Sequence, residues 1–315
     1  LTEKEVTAMA WIRKRPYLLF IAPGLVLYTL FTMYPIFSAV QISLNHWDGI
    51  GEKTFVGLAN YVELFTSDVL FSQFTNAFKN SLIIFVLNSC AVLPAQLYMA
   101  YLLYTEIKGF RFVQAMIFSP QFISTPVIVF MGTLMLDGNI GVVNKMLEWI
   151  GLGDYARPWM GLPELGIYIV WLLAAWSGIG VGMIFFLGAM KMISPEVMEA
   201  AVLDGASFWR RLFSIIIPQV KTTILNMLVL TYIFSMTVFD YSFIMGGVSG
   251  GINNSMDVMA LFFYRIAFGD NSAVGGTLNT NAMGMGTTIA CVLFAIIFIV
   301  ALVQVAISYR SVEED

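Results

Sequence analysis

Thr287-Thr288-Ile289-Ala290-Cys291-Val292-Leu293-Phe294-Ala295-Ile296-Ile297-Phe298-Ile299-Val300-Ala301-Leu302-Val303-Gln304-Val305-Ala306-Ile307 runs 21 residues without a charge. A helix rises about 1.5 Å per residue, so this run covers the roughly 30 Å hydrocarbon core of a bilayer. It sits within a longer charge-free window, Asn271–Tyr309. Tyr17–Asn45, Ser81–Thr105, Phe112–Leu136 and Leu165–Met190 are further windows of spanning length, and Thr222–Met245 is interrupted only by Asp240. Backbone groups in hydrocarbon must pair within the protein, which leaves helices or closed barrels. Continuous apolar runs are not the alternating pattern of barrel strands. The sequence therefore predicts an all-α membrane protein with six transmembrane helices, at about 17–43, 81–105, 112–136, 165–190, 222–245 and 284–309.

Composition agrees. Only 11% of the 315 residues are charged, against about 25% in a soluble domain. The net charge is −4 and no basic block is available to neutralise a phosphate backbone, which excludes nucleic acid as a partner. One histidine and two cysteines speak against a protein-built zinc or haem site. His46, beside Trp47 and Asp48, reads as a polar residue just outside the first span rather than a catalytic group. Cys90 and Cys291 fall in apolar stretches, unlike halves of a secreted disulfide framework. The first window is too long for a cleavable signal peptide and lacks its small-residue cleavage site.

Lysine and arginine set the orientation. Lys4, Arg13, Lys14, Arg15, Lys108, Arg111, Lys191, Arg210, Arg211, Lys221 and Arg310 fall on one side. Lys53, Lys79, Lys145, Arg157 and Arg265 fall on the other. Eleven against five places both termini, residues 1–16 and 311–315, in the cytoplasm. Among the outer loops, Val142, Val143, Met146, Leu147 and Ile150 share one helical face, suited to a short helix at the membrane interface. The third outer loop, rich in Gly, Asn and Ser over 246–255 and 269–281, reads as irregular.

One inner connection, 191–221, is long. Ser194 is placed to cap a helix with Pro195 at its first position and Glu196 where the dipole favours a carboxylate. Val197 to Leu203 continue it, Gly205 supplies a backbone free to take positive φ, and a second short helix follows before Pro218. On shape alone this is either a knob for another protein's groove or a helix pair resting on lipid headgroups.

Glu199-Ala200-Ala201, Asp204-Gly205-Ala206 and Pro218 at this spacing resemble the EAA loop of permease subunits in bacterial binding-protein-dependent ABC importers, specifically the maltose and glycerol-3-phosphate type. The likeness covers nearly the whole chain. Phe55-Val56-Gly57-Leu58-Ala59-Asn60-Tyr61 and Asn80-Ser81-Leu82 resemble that branch's first outer loop and second helix. Phe110-Arg111-Phe112 with Phe118-Ser119-Pro120 resembles the entry to its third helix. Gly141, Asn144 and Leu147 fit its short outer helix, and Trp176-Ser177-Gly178-Ile179-Gly180 its fourth. Phe239-Asp240 then Gly246-Gly247 is similar to the end of its fifth, with Val248 in place of the usual proline.

The resemblance implies a type I importer permease fold in a bacterial cytoplasmic (inner) membrane. It implies that the loop seats in a cleft of an ATPase subunit, and that ATP-driven closure of two ATPases swings two homologous permeases from inward- to outward-facing. Glu199 is then the polar anchor, Ala200, Ala201, Gly205 and Ala206 allow close approach, and Asp204 caps or holds the turn. ATP and magnesium belong to the ATPases, and a periplasmic or extracellular binding protein delivers a sugar, oligosaccharide, or related polyol or sugar phosphate. This chain is expected to bind no cofactor and to catalyse nothing. None of its eight lysines completes G-x-x-x-x-G-K-[ST]; in Gly51-Glu52-Lys53-Thr54, Glu52 replaces the required glycine.

Polar residues within spans mark a substrate path by default; here they are Asn88, Gln96, Gln121, Thr125, Ser177, Asn226, Thr231, Ser235, Asp240 and Gln304. At about 100° per residue, Thr231, Ser235 and Ser242 share one face of the fifth span with Val238, while Asn226 and Asp240 lie roughly opposite. The competing reading of each hydroxyl is a bond to its own helix carbonyl. By the family likeness, sugar contacts fall at Gln121 and Thr125, Ser177 and Gly178, and Thr231 and Ser235, with Ala174 and Val238 adding no hydrogen bond. Asp240, near the outer boundary, is expected to be a gate or structural residue. The alternative class, an ion-coupled secondary transporter, calls for an internal repeat and several buried ionisable groups, and the sequence offers one intramembrane charge.

Overall fold

The computed structural model describes residues 17–106, 108–269 and 280–313. The predicted cytoplasmic segment 1–16 lies outside the described residues, as do 270–279 and the tail's Glu314 and Asp315. Among the described residues, five helices are long and apolar enough to cross a membrane: Phe20–Ser43 (span one), Asp68–Tyr104 (span two), Pro163–Met190 (span four), Lys221–Gly246 (span five) and Ala282–Ala306 (span six). Span three is a broken pair, Phe110–Phe122 and Thr125–Met135, turned through 97°. Here "inner" means the lysine- and arginine-rich side.

Three expectations are corrected. The third window, taken as one run over 112–136, bends because Pro120 and Pro126 remove two N–H donors within one short stretch. The chain passes through a 3₁₀ turn at Ser119–Phe122 and two extended residues, Ile123 and Ser124, before the helix resumes. Span two starts well before residue 81, at Asp68, where the Ser67 hydroxyl accepts from the Leu70 N–H at 3.5 Å. Its outer turns carry Gln73, Asn76, Lys79 and Asn80, which hid them from a search for apolar runs. The third outer loop is not irregular throughout: Met259–Phe268 is a buried helix between its two Gly/Asn/Ser-rich segments.

Span five is also interrupted. Val238 is extended (φ −56°, ψ 128°), Phe239 is non-helical (φ −130°, ψ −54°), and a short helix restarts at Asp240–Gly246. Angles counted from Thr231 therefore hold only to Thr237, and the faces assigned to Asp240 and Ser242 do not follow. Elsewhere three π turns, Thr29–Met33, Asn88–Val92 and Leu212–Ile216, each end two residues before a proline: Pro35, Pro94 and Pro218. Proline's ring crowds the carbonyl four residues back, and the wider turn relieves that crowding.

Three apolar clusters hold the bundle. One joins the inner halves of spans two and four to the 191–221 segment through Leu97, Tyr101, Phe186, Met190, Leu212 and Ile216. A second joins spans two, five and six to the Met259–Phe268 helix through Phe74, Tyr232, Met236, Phe262 and Ile289. The third packs Ile84, Ile128, Ala174, Val238, Tyr241 and Leu261 on the outer side. Span one's apolar window buries nothing against its own chain.

Candidate functional site

Between spans two, four and five lies a cavity of about 300 Å³, with Gln121 of span three on its wall. Its hydrogen-bonding groups are Asn88, Gln96, Gln121 and Thr231, set among Val92, Leu93, Phe185, Met227, Leu230 and Phe234. No residue on this wall is charged. Local chain chemistry builds it. The π turn ahead of Pro94 carries Asn88, whose Oδ1 accepts from Trp171 Nε1 at 3.1 Å. Two turns on, Gln96 Nε2 donates to the Gly178 carbonyl at 3.4 Å. A methyl at Gly182 would overlap the Gln96 amide, so glycine there makes the amide's room.

Of the expected path residues, the fold gathers Gln121, Gly178 and Thr231 on this cavity. Thr125 starts the second half of span three, past the bend, and does not line it. Ser177 is buried, with its hydroxyl 2.6 Å from the Tyr241 hydroxyl and donating to the Ala174 carbonyl at 3.1 Å. Ser235 is buried and donates to the Thr231 carbonyl at 2.8 Å. For Ser235 the own-helix bond is what the structure contains, because its side chain turns from the cavity into the protein. Asn226 meets Gln304 of span six at 2.8 Å instead. Asn88 and Gln96, polar span residues that the family likeness does not include, join Gln121, Gly178 and Thr231 on the site. Their signal was visible, two amides eight residues apart on one span with a proline between, but the family likeness pointed to other helices.

Asp240 is exposed at the first turn of the restarted helix, where the dipole favours a carboxylate. Among the described residues, the buried charges are instead Asp257 and Arg265, outside every charge-free window. Burial pushes the Asp257 carboxyl up to about 6, against the opposing pull of the Arg265 guanidinium.

The 191–221 segment forms a compact inner knob. Helix Pro195–Leu203 ends in a backbone motif: Gly205 (φ +71°) donates to the Val202 carbonyl at 3.0 Å, and Ala206 donates to Ala201 at 2.9 Å. The turn is thus held by backbone, and the Asp204 carboxylate is exposed beside it. Ser194 sits at the N-cap position, yet its hydroxyl donates to Glu196 Oε2 at 3.1 Å rather than accepting from the helix. Ser207 caps the second helix, Phe208–Arg211, accepting from Arg210 at 3.4 Å. Span two grips the knob: the Tyr101 hydroxyl donates to the Phe208 carbonyl at 3.2 Å, and Tyr98 stacks on Trp209. Glu199, Ala200, Asp204 and Gly205 face out, Ala206 is half-buried and Ala201 is buried. Leu203 and Met192, each 88% exposed, add apolar surface.

Two asparagines in the outer loops are structural hubs. Asn60 donates to the carbonyls of Ser43 (2.8 Å) and Asn45 (2.9 Å) and accepts from Asn281 (2.8 Å), tying span one to span six. Asn144 donates to the Gly138 and Arg157 carbonyls at 3.0 Å and accepts from Trp159 Nε1 at 2.7 Å. The helix around it, Val142–Trp149, turns Val142, Met146 and Trp149 outward, while Val143 and Leu147 are half-buried. Nearby, N–H groups of Ile140 and Asn139 hold the Asp137 carboxyl below its usual range.

The chain matches, over residues 93–312, the family model described as binding-protein-dependent transport system inner membrane component. It is 31% identical over 95% of its length to the probable ABC transporter permease protein YurN of Bacillus subtilis, covering 97% of that protein. It is 28% identical over 93% of its length to the arabinooligosaccharides transport system permease protein AraP of the same bacterium, covering 88% of it. Two structures of a bacterial alginate ABC transporter share the fold at 24% identity, with TM-scores of 0.77 and 0.78. They cover 94% and 96% of this chain and 96% and 99% of their own, and one is in complex with an alginate pentasaccharide-bound periplasmic protein.

Proposed function

The chain belongs to the family of inner membrane components of binding-protein-dependent transport systems, and from that premise we propose that it forms half of the path of an ATP-driven saccharide importer. The observation that carries this reading is the uncharged cavity with Asn88, Gln96, Gln121 and Thr231 on its wall. Hydroxyl-rich cargo leaving water needs hydrogen-bond partners, since each unmet group costs about 1–3 kcal/mol. Amides and a hydroxyl supply them without fixing a charge. The apolar ring faces of a sugar suit Phe185 and Phe234. An ion-coupled carrier would instead place ionisable groups on the path.

The other half of the path comes from a second, homologous permease. Two ATPase subunits hold ATP and magnesium and hydrolyse it, and a binding protein on the outer side hands over the sugar or oligosaccharide. The membrane is the bacterial cytoplasmic membrane. Coupling runs through the knob. Glu199 supplies a polar anchor, Ala200, Ala201, Gly205 and Ala206 let the partner approach closely, and Asp204 borders the contact. The two-residue grip of span two on Phe208 and Trp209 passes movement of the knob to the helix that bears Asn88 and Gln96. Purification of the tagged chain in mild detergent tests the assembly: a second permease and an ATPase are expected with it, and recovery of the chain as a homo-oligomer with neither would overturn the reading.

A further inference from the structure

Asp257 lies in the turn leading into the outer helix Met259–Phe268, and Arg265 lies two turns along that helix. Arg265 Nη2 donates to Asp257 Oδ2 at 2.6 Å and to Gln73 Oε1 of span two at 3.4 Å. Their side chains are 4% and 0% exposed. The same face of span two grips the neighbouring backbone. Asn76 Nδ2 donates to the Asn254 carbonyl at 2.9 Å, and Asn80 Nδ2 donates to the Asp257 carbonyl at 2.9 Å. The Ser81 hydroxyl accepts from the Met259 N–H at 3.2 Å. The segment 254–259 is therefore fastened to span two without the ion pair.

The pair needs another account, because it is incompletely bonded. A buried ion pair recovers its desolvation only when its remaining lone pairs and protons find partners. A partly satisfied network is worse than an apolar one. Asp257 Oδ1 and Arg265 Nη1 are buried and neither has a hydrogen-bond partner of good geometry, although the Val258 N–H lies close to the carboxyl. The load falls on a helix that packs outward of the cavity. Val258 and Leu261 join Ala174, Val238 and Tyr241 in one apolar cluster. Tyr264 packs against Phe239 and Phe243, at the break in span five, with ring centroids 5.1 and 5.3 Å apart.

We propose that Asp257 and Arg265 are positioning residues of the outer gate, whose incomplete pairing holds the closed packing of Met259–Phe268 against span five near balance. When that packing opens, water reaches Oδ1 and Nη1 and the penalty is lifted. The inference rests on reading the cavity as the cargo site, but its signature is a change of accessibility that needs no sugar. A mere fastener and a gate predict opposite effects for an apolar replacement. Removing a fastener loosens the helix, whereas removing this load locks it shut.

The test uses the complex with its partner subunits in proteoliposomes, with Cys90 and Cys291 replaced and Val258→Cys as reporter. Val258 is fully buried here. Labelling by a membrane-impermeant maleimide from the outer side is measured at rest and after trapping with vanadate. In the parent the rate should rise about tenfold on trapping, the usual size of coupling between sites. In Asp257→Leu/Arg265→Met it should stay at the resting rate, with a thermal midpoint equal to or above the parent's. Gln73→Leu, which leaves Arg265 with one acceptor fewer, should raise resting labelling. Asp257→Asn/Arg265→Gln, which removes both charges and keeps the polar shape, serves if the apolar double variant does not fold, and there too labelling should stay below the parent's on trapping. Parent-like trapping in Asp257→Leu/Arg265→Met, or unchanged resting labelling in Gln73→Leu, overturns the proposal. A parent complex that gives the expected labelling rise on trapping yet takes up no saccharide would count against the cargo reading and leave the gate intact.

Discussion

Gly178, Gly180 and Gly182 sit at alternate positions on span four and meet three different surroundings. A Cβ at Gly178 would have no heavy atom within 4 Å, and the residue lines the cavity. A Cβ at Gly180 would stand 2.8 Å from the Ile117 carbonyl oxygen and from Phe118 Cα, backbone of span three that cannot swing aside. Gly178→Leu therefore fills the path without disturbing packing. Its four side-chain heavy atoms, at about 30 Å³ each if water-sized, occupy roughly 120 Å³ of a cavity of about 300 Å³. About two-fifths of the space for cargo is lost, and uptake should drop at least about tenfold, a cost of about 1.4 kcal/mol or more. Gly180→Ala should instead destabilise the chain by about 1–3 kcal/mol through overpacking. The assays are initial uptake rates in proteoliposomes at matched protein levels, and thermal unfolding in detergent. Gly178→Leu with parent-like uptake and an unchanged midpoint would refute the assignment of this cavity to the cargo path.

Four further outcomes follow from the same contacts. Thr231→Ala should weaken apparent sugar affinity about five- to hundredfold by leaving a cargo group unmet, whereas Ser235→Ala, already bonded to its own helix, should leave concentration-dependent uptake near the parent's. Gly205→Val forces a β-branched residue to a φ of +71° and should abolish ATPase recovery on pull-down while the permease still inserts; Glu199→Lys should do the same by reversing the anchor's charge. Asn144→Ala strips the hub joining Gly138, Arg157 and Trp159 and should lower stability by about 1–3 kcal/mol in thermal unfolding. Cysteines at Ser207 and Ile50 should label from opposite faces, Ser207 from the cytoplasm.

Span number and type were legible because charge-free length is a local property of the chain. So was the knob, since Ser194, Pro195 and Gly205 carry start and stop signals in their own backbone preferences. What escaped was decided across elements. The bend at Ile123 and Ser124 hid inside an apolar run whose prolines are compatible with either a kink or a straight passage. Ser235 and Thr231 look alike along the sequence, and only the folded bundle separates a buried hydroxyl from one on the cavity. Asp257 and Arg265 fell in a stretch read as an outer loop, where charges are ordinary. Arg265 is met by Gln73, a residue 192 positions away. The amides Asn60, Asn80 and Asn144 stand in the stretches that carry the family likeness, and each bonds backbone carbonyls of the outer loops.

The central claim is that ATP used by partner subunits moves a saccharide through this chain. Its most direct test is uptake into proteoliposomes holding the purified complex, with sugar-loaded binding protein outside, ATP inside and all ion gradients collapsed by ionophores. The account predicts sugar accumulation that persists under those conditions, stops when ATP or the binding protein is omitted, and is lost in Gly178→Leu. Accumulation driven by an imposed ion gradient in the absence of ATP would contradict it.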